Sequence, residues 1–161
     1  MTARQIAEEL IKHFEGCKLN SYVLKNETWA TIGWGHAIPM KEHPKKITQA
    51  EADALLNSDI NVREVDLKKQ LGATMYSKLS DNQLGATLSF KYNCRPSSFA
   101  KSTFLKFMKS GKFVEAGNEL PKWTKGSGVV LPGLVRRRKC EKFIFEGRTI
   151  AALKAKKWFQ Q

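Results

Sequence analysis

The chain has 161 residues, a formal net charge of +13 and a hydrophobic fraction of 42%. This length suits one domain with enough chain to bury a core. No apolar run approaches the ~20 residues needed to cross a bilayer, and the first residues are too acidic for a secretory signal. We therefore expect a protein that is made and folded in the cytoplasm.

The positive charge is unevenly distributed along the chain. Residues 1–70 carry ten Lys or Arg and ten Asp or Glu, whereas residues 71–161 carry eighteen basic residues and five acidic ones. Such asymmetry predicts a polyanionic partner, namely nucleic acid, an anionic membrane surface or an acidic wall polymer. Charge alone does not choose among these three classes.

The cysteines and histidines lack the spacing of a metal site, since no CxxC or Cys/His pair occurs. They are Cys17, Cys94, Cys140, His13, His36 and His43. We therefore predict free thiols and no bound metal ion.

The first predicted element is a helix over residues 2–14, which opens with a capping box at Thr2 and ends at Gly16. Two strand-like stretches follow, 19–24 and 29–34, each rich in β-branched and aromatic residues. The turn-prone residues between them predict a β-hairpin.

Helical signals dominate the rest of the chain, and no strand signal is convincing after residue 46. Capping boxes at Thr48 and Ser80 each predict a helix start. The first of these helices continues to Gly72 with charge around much of its circumference, as expected for a connector between two lobes. Gly126-Ser127-Gly128 reads as a flexible link between helices. Further helices are predicted over 103–109, 114–123 and 132–146, with a short basic helix after 149.

Glu15 and Thr31 are the first candidates for chemistry. Glu15, at the end of the first predicted helix, supplies a carboxyl group. Thr31, in the second predicted strand, supplies a hydroxyl and begins the motif Thr31-Ile32-Gly33-Trp34-Gly35-His36. A carboxyl group among apolar neighbours favours its protonated form, which suits proton donation at neutral pH. The alternative reading of Glu15 is an exposed residue after an amphipathic helix.

Two ordered blocks of sequence carry a resemblance to a known family. The first is Phe-Glu-Gly-Cys-Lys-Leu at 14–19, with Tyr22 and Trp-Ala-Thr-Ile-Gly-Trp-Gly-His at 29–36. The second is 88–93, 99–105, Trp123 and 131–138. Their order and spacing resemble the phage-type lysozymes, glycoside hydrolase family 24, over residues 4–147. The resemblance implies an α+β, two-lobed lysozyme-like fold, with a small β-hairpin lobe and a larger helical lobe joined by a long helix.

Within a single domain over 1–161, the small lobe is predicted at 15–58, the connecting helix at 59–73 and the helical lobe at 74–161. The helix at 2–14 is expected to pack on the helical lobe. The active cleft would lie between the lobes. The implied reaction is hydrolysis of the β-1,4 bond between N-acetylmuramic acid and N-acetylglucosamine in peptidoglycan, and it requires no cofactor.

The family's functional residues can be carried over by position. Glu15 matches the general acid and Thr31 the hydroxyl that positions the attacking water. Tyr22 and His36 match supporting positions near the site. Residues Asn93 and Arg137 are predicted to bind substrate.

One departure affects the mechanism, because Leu24 stands where the family has an aspartate. The nearest acid is Glu27, in the turn. Three mechanisms stay open: Glu27 serves as the second carboxylate, Glu15 works alone with Thr31 holding the water, or the chain is a lytic transglycosylase that gives 1,6-anhydro products. A peptidoglycan-binding protein with weakened catalysis is a further alternative.

The predicted partner is peptidoglycan, and the basic half would attract its carboxylates or another anionic envelope surface. Nucleic acid is not predicted, since no helix-turn-helix or aromatic-rich strand accompanies the charge. The resemblance also implies a monomer made in the host cytoplasm that reaches the wall through a membrane lesion formed by a separate holin.

Two basic segments invite separate interpretation. Within Arg136-Arg137-Arg138-Lys139, successive side chains point about 100° apart on a helix, so we expect one of them to face the cleft and others to face solvent. Segment 149–161 mixes apolar and basic residues, and we expect it to dock on the protein's own core rather than on a membrane.

Overall fold

The computed structural model describes residues 1–160 and has an α+β architecture. Strands β1 (Lys18–Tyr22), β2 (Trp29–Gly33) and β3 (His36–Pro39) form an antiparallel sheet in that order. Strands β4 (Lys125–Gly126) and β5 (Val129–Val130) form a separate two-stranded hairpin. The helices are α1 (Ala3–Glu15), α2 (Gln49–Leu71), α3 (Ala73–Tyr76), α4 (Asp81–Asn93), α5 (Pro96–Ala100), α6 (Thr103–Lys109), α7 (Phe113–Glu119), α8 (Pro132–Phe145), α9 (Ile150–Lys154) and α10 (Lys157–Gln160).

All three predicted capping boxes are confirmed. The side chains of Thr2, Thr48 and Ser80 accept hydrogen bonds from the backbone three residues later, and the Gln or Glu at that position bonds back. These local contacts start α1, α2 and α4, because the first N–H groups of a helix have no partner within it. Helix α2 runs unbroken for 23 residues, so it passes through position 58/59, where the small lobe was predicted to meet the connecting helix. The lobe boundaries stay predictions.

The sheet contains one strand more than the sequence predicted. In β3, Ile38 pairs with Ala30 and His36 with Ile32. The short segment has only one large apolar residue and ends in a proline, so its strand propensity is weak. Its pairing with β2 is what makes it a strand. Together with Ile47, which precedes α2, and Ala52 on α2, the inward side chains of the sheet form a small core: Ala30, Ile32, Ile38, Ile47 and Ala52.

A larger core surrounds α4, in which every residue from Leu84 to Tyr92 is buried. Helix α1 crosses α4 where Gly85 lies, and a Cβ at Gly85 would be only 2.7 Å from the Ile6 Cβ and 2.8 Å from the Ala3 carbonyl oxygen. The two helices therefore approach more closely than any other residue would allow. This packing sets the direction of α1 and therefore the position of its last residue, Glu15.

Two predictions in the C-terminal half are corrected. Segment 126–128, expected to be a flexible link in a region without strands, is an ordered hairpin turn, because Ser127 and Gly128 both have positive φ and β4 pairs with β5 across them. Strands β4 and β5 have two residues each and are too short to give a strand signal in the sequence. The helix predicted over 114–123 is α-helical only to Glu119, and a 3₁₀ turn follows around Pro121, which cannot continue the α-helical hydrogen bonds.

The C-terminal segment docks on the core, as expected. Ile150 and Leu153 are buried, and Phe159 stacks on His13 of α1 with ring centroids 3.8 Å apart. Gln161, the last residue of the predicted segment, lies outside the described residues. Over residues 1–160, no helix combines the length and the apolar character needed to cross a membrane.

Candidate active site

Glu15 is the last residue of α1 and opens into a cavity of about 460 Å³. Gly16 has a φ of 66°, a left-handed conformation that ends the helix and turns the chain toward β1. The Glu15 side chain is 24% exposed. The cavity walls come from the end of α1, the start of α8 and the C-terminal helix α10. The carboxyl group is thus within reach of a solute that enters this cavity.

An ion pair with Arg137 orients Glu15. The Arg137 Nη1 atom lies 2.5 Å from Glu15 Oε1, and the Arg137 side chain is only 3% exposed. The same guanidinium donates to the Ser89 carbonyl at 3.2 Å and, through Nε, to Glu141 Oε1 at 3.1 Å. Arg137 was predicted to bind substrate. In the structure its guanidinium group instead holds the Glu15 carboxylate.

Glu141 and Arg138 extend this ion pair into a buried network. Glu141 is fully buried, accepts a hydrogen bond from the Ser89 hydroxyl at 2.8 Å, and pairs with Arg138. Arg138 also donates to Asn93 Oδ1. Two arginines and two glutamates balance each other in this cluster, which is how so many charges can be buried. Asn93, the other predicted substrate ligand, is exposed and connects the network to the cavity surface.

The second oxygen of Glu15 faces the turn between β2 and β3. A Cβ at Gly35 would lie 3.3 Å from Glu15 Oε2, and Gly35 has a φ of 96°. The Tyr92 hydroxyl donates to the Trp34 carbonyl at 2.9 Å and fixes this turn. Burial raises the pKa of Tyr92, with Asp59 acting in the same direction, so its hydroxyl remains a donor. Glycine at position 35 leaves room beside Oε2 for a substrate atom.

Thr31 and Tyr22 are neighbours across β1 and β2. Thr31 alternates with the buried Ala30 and Ile32, so its side chain lies on the opposite face of the sheet, half-buried. Tyr22 is 37% exposed. Among residues 1–160, no hydrogen bond joins Thr31 to Glu15.

His36 bonds to the connecting helix instead of to Glu15. Its Nδ1 atom lies 2.9 Å from Asp59 Oδ2 on α2. Arg63, one turn further along α2, stacks on the Tyr92 ring at 4.4 Å. These contacts tie the β2–β3 turn to α2 and α4, next to the carboxyl group of Glu15.

Leu24 and Glu27 lie at the two ends of the β1–β2 turn. The Glu27 amide donates to the Leu24 carbonyl at 3.1 Å, and Asn26 takes a left-handed φ of 68° between them. Leu24 is 56% exposed. In the part of the chain that the structure describes, the Glu27 carboxylate forms no ion pair. The turn therefore leaves this carboxylate free.

Glu141 and Gly35 were not singled out from the sequence. A signal for Glu141 exists, since an acid three and four residues after two adjacent arginines lies on their side of a helix. No single-chain pattern shows that this side is buried. Gly35 lies in the sequence motif that contains Thr31 and His36. Its closeness to Glu15 depends on the packing of α1 against α4, which the motif does not show.

The sequence is similar to that of known phage proteins. The family model described as phage lysozyme matches residues 12–141. The endolysin of Acyrthosiphon pisum secondary endosymbiont phage 1 is 35% identical over 141 residues, which cover 85% of this chain and 92% of that protein. The endolysin of Bacillus phage PZA is 33% identical over 150 residues, or 92% of this chain. The matched region spans 57% of the Bacillus phage protein's own length.

Solved structures show the same fold. The muramidase domain of SpmX from Asticaccaulis excentricus superposes with a TM-score of 0.77 at 30% identity, covering 88% of this chain and 95% of that domain. The endolysin of Escherichia coli O157:H7 phage FAHEc1 gives a TM-score of 0.74 at 26% identity, covering 91% and 94%. The lysozyme-like α+β fold expected from the sequence is confirmed. With the family model spanning the site from α1 to Glu141, this chain belongs to the phage lysozyme family.

Proposed function

We propose that this chain is an endolysin that cleaves the glycan strands of peptidoglycan. The bond attacked is the β-1,4 link between N-acetylmuramic acid and N-acetylglucosamine. The observation that carries this proposal is Glu15, a carboxyl group at the mouth of a cavity, oriented by a buried arginine. Such a group can protonate the oxygen of a leaving sugar, and acid catalysis of this kind needs no cofactor.

In this proposal the two carboxyl oxygens of Glu15 have different roles. Oε1 stays bonded to Arg137, so the carboxyl group keeps one orientation. Oε2, beside Gly35, delivers the proton to the glycosidic oxygen. A fixed donor within hydrogen-bond reach contributes roughly 10²–10⁴-fold to a rate.

Glu15→Gln tests this role because the amide keeps the size and an acceptor for Arg137 but cannot donate the proton. We expect the rate of peptidoglycan cleavage to fall at least a hundredfold, as general acid catalysis predicts. Glu8→Gln is the matched control, since it makes the same change on α1 at a residue whose one ion pair within residues 1–160 is with Lys12, at 3.9 Å. Cleavage by Glu15→Gln at more than a tenth of the parent rate would refute the assignment.

For the water step, we propose hydrolysis with Thr31 as the positioning hydroxyl. An inverting glycosidase normally has a second carboxylate about 6.5–9.5 Å from the first. Leu24 supplies none, and the free carboxylate of Glu27 lies at the end of the same turn. If Glu27 is the base, Glu27→Gln should reduce the rate at least a hundredfold. If Glu15 acts alone with Thr31, Thr31→Ala should be severe, Thr31→Ser mild and Glu27→Gln mild.

The transglycosylase alternative rests on the missing aspartate, because attack by the sugar's own 6-hydroxyl needs no second carboxylate. Mass analysis of the products separates the two reactions, since a 1,6-anhydro end weighs one water less than a hydrolysed end. We expect reducing ends of full mass. Leu24→Asp should leave activity equal or higher. Predominantly anhydro products would decide for the transglycosylase, and tight wall binding without any product would decide for a binding protein.

We further propose that the chain is monomeric, is made in the host cytoplasm and reaches the wall through a lesion formed by a separate holin. The family relationship supports this route. Expression with a holin should lyse cells rapidly, whereas expression of the chain alone should not. Equal lysis in both cases would contradict the need for a holin.

A further inference from the structure

A second cavity, of about 600 Å³, lies on the outer side of α8. It shares only Trp158 with the cavity beside Glu15. Val135, Lys139, Lys142 and Phe143 line it from α8, and Glu146 lines it directly after the helix end. Their spacing of three or four residues places them on one face of the helix, opposite the buried Arg137 and Glu141. This face is unrelated to the catalytic candidates.

The second cavity is strongly basic. Lys139, Lys142, Arg148 and Lys156 surround it, and among residues 1–160 Glu146 is the one acidic residue in its lining. Glu146 pairs with Lys142 and, at 2.8 Å, with Arg148. Over residues 1–160, Lys139 and Lys156 have no carboxylate partner. These two cations are available for an anion from outside the chain.

Aromatic rings hold the cations at the cavity. The Lys139 Nζ atom lies 4.5 Å from the centroid of the Trp158 ring, and the Lys156 Nζ atom lies 5.7 Å from that of Phe143. The two rings pack edge to face with centroids 5.7 Å apart. Because the two rings adjoin, cation–π attraction keeps both positive charges at the same aromatic pair. This convergence distinguishes the site from scattered surface lysines.

We propose that this cavity binds an acidic saccharide, a sugar unit that carries a phosphate or a carboxylate. Lys139 and Lys156 would meet the anion, while the apolar surfaces of Val135, Phe143 and Trp158 would contact the sugar ring. The volume falls within the ~300–1,000 Å³ typical of small-ligand sites. Such binding holds the protein on an anionic envelope polymer, and it is independent of any reaction at Glu15.

The Trp158 indole N–H provides a signal in a nuclear magnetic resonance titration of the full chain. Trp158 also lines the cavity beside Glu15, so the lysine substitutions described below show which cavity the ligand enters. The resonance is assigned with Trp158→Phe. Glucose 6-phosphate should shift this signal to saturation, with at least tenfold higher affinity than glucose or inorganic phosphate. No shift would overturn the proposal. Equal affinity for inorganic phosphate would also overturn it, because the site would then recognise the anion alone.

Paired substitutions test the two lysines. Lys139→Gln with Lys156→Gln should weaken binding of glucose 6-phosphate at least fivefold, and the corresponding double Arg variant should retain it. Lys106→Gln with Lys109→Gln is the matched control, since it removes two exposed charges from α6, away from the cavity lining. Equal weakening in the control would mean that net charge, and not this site, binds the ligand. A thermal melt of each variant reports whether it is folded.

Two further arms identify the source of the anion and separate this site from the proposed reaction. Phosphatidylglycerol vesicles present phosphate without a hexose, so they should displace glucose 6-phosphate no better than inorganic phosphate does. Stronger displacement would assign the site to a membrane headgroup. Cleavage of a short soluble muropeptide should be unchanged in the double Gln variant, whereas Glu15→Gln should lose cleavage and keep the Trp158 shift.

Discussion

Replacing Glu141 with Gln removes the buried negative charge that two arginines share. In the folded protein Glu141 is fully buried and accepts from Arg137 Nε at 3.1 Å, from the Ser89 hydroxyl at 2.8 Å, and from Arg138. After the change, Glu15 is the one carboxylate left in the cluster among the described residues, and its ion pair is with Arg137. Within residues 1–160, Arg138 would be left without an anionic partner.

The expected loss of stability follows from this loss of balance. Gln has the size of Glu, so no cavity forms, and the effect is electrostatic. Breaking a buried ion pair by removing one partner costs about 3–5 kcal/mol. For a domain of this size, each kcal/mol lowers the melting temperature by roughly 2–4 °C. Glu141→Gln should therefore lower the melting temperature by roughly 6–20 °C.

Urea unfolding and thermal melts followed by circular dichroism measure this loss. Glu119→Gln is the matched control, because Glu119 pairs at 2.7 Å with Lys122, which is 67% exposed. Removing the Glu119 charge leaves Lys122 solvated, so no buried charge loses its partner and the loss of stability should be much smaller. If Glu141→Gln destabilises the protein no more than Glu119→Gln does, the buried network does not depend on charge balance, and our account of how Arg137 is held beside Glu15 fails.

Three other changes have expected outcomes. Gly85→Ala should destabilise the protein by about 1–3 kcal/mol in urea unfolding, since its Cβ would collide with α1. Gly133→Ala on α8 is the control and should be neutral or stabilising, because a Cβ there meets nothing within 4 Å. Equal effects of the two substitutions would contradict the close packing of α1 on α4. Burial lowers the pKa of His13, so the unfolded chain binds that proton more readily, and the unfolding free energy should fall as pH drops below about 6.5. In His13→Gln this part of the pH dependence should disappear, and an unchanged pH profile would show that His13 does not cause it. Burial raises the pKa of Cys94 and of Cys140 to about 12. A thiol reagent at pH 8 should therefore label half-exposed Cys17 quickly and the other two cysteines slowly. Fast labelling of the Cys17→Ser variant would refute this, because its remaining thiols are Cys94 and Cys140.

The sequence alone determined the features that depend on neighbouring residues. Thr2, Thr48 and Ser80 start helices through hydrogen bonds that reach only three residues, so their capping boxes predicted α1, α2 and α4 correctly. The motif around Glu15 and Thr31 likewise indicated the family, whose fold the structure confirms. Strand β3 was missed because its four residues form a strand only when paired with β2, which local propensity does not report.

Only the tertiary structure decided which groups surround Glu15. Its ion-pair partner Arg137 is 122 residues away in sequence, and periodicity does not show which members of 136–139 point into the protein. Packing of α8 against α4 buries Arg137 and Arg138, and Glu141 must then enter the same interior to balance them. Burial makes an unpaired charge costly, so the arrangement of charges at this site follows from how the helices pack rather than from the order of the residues.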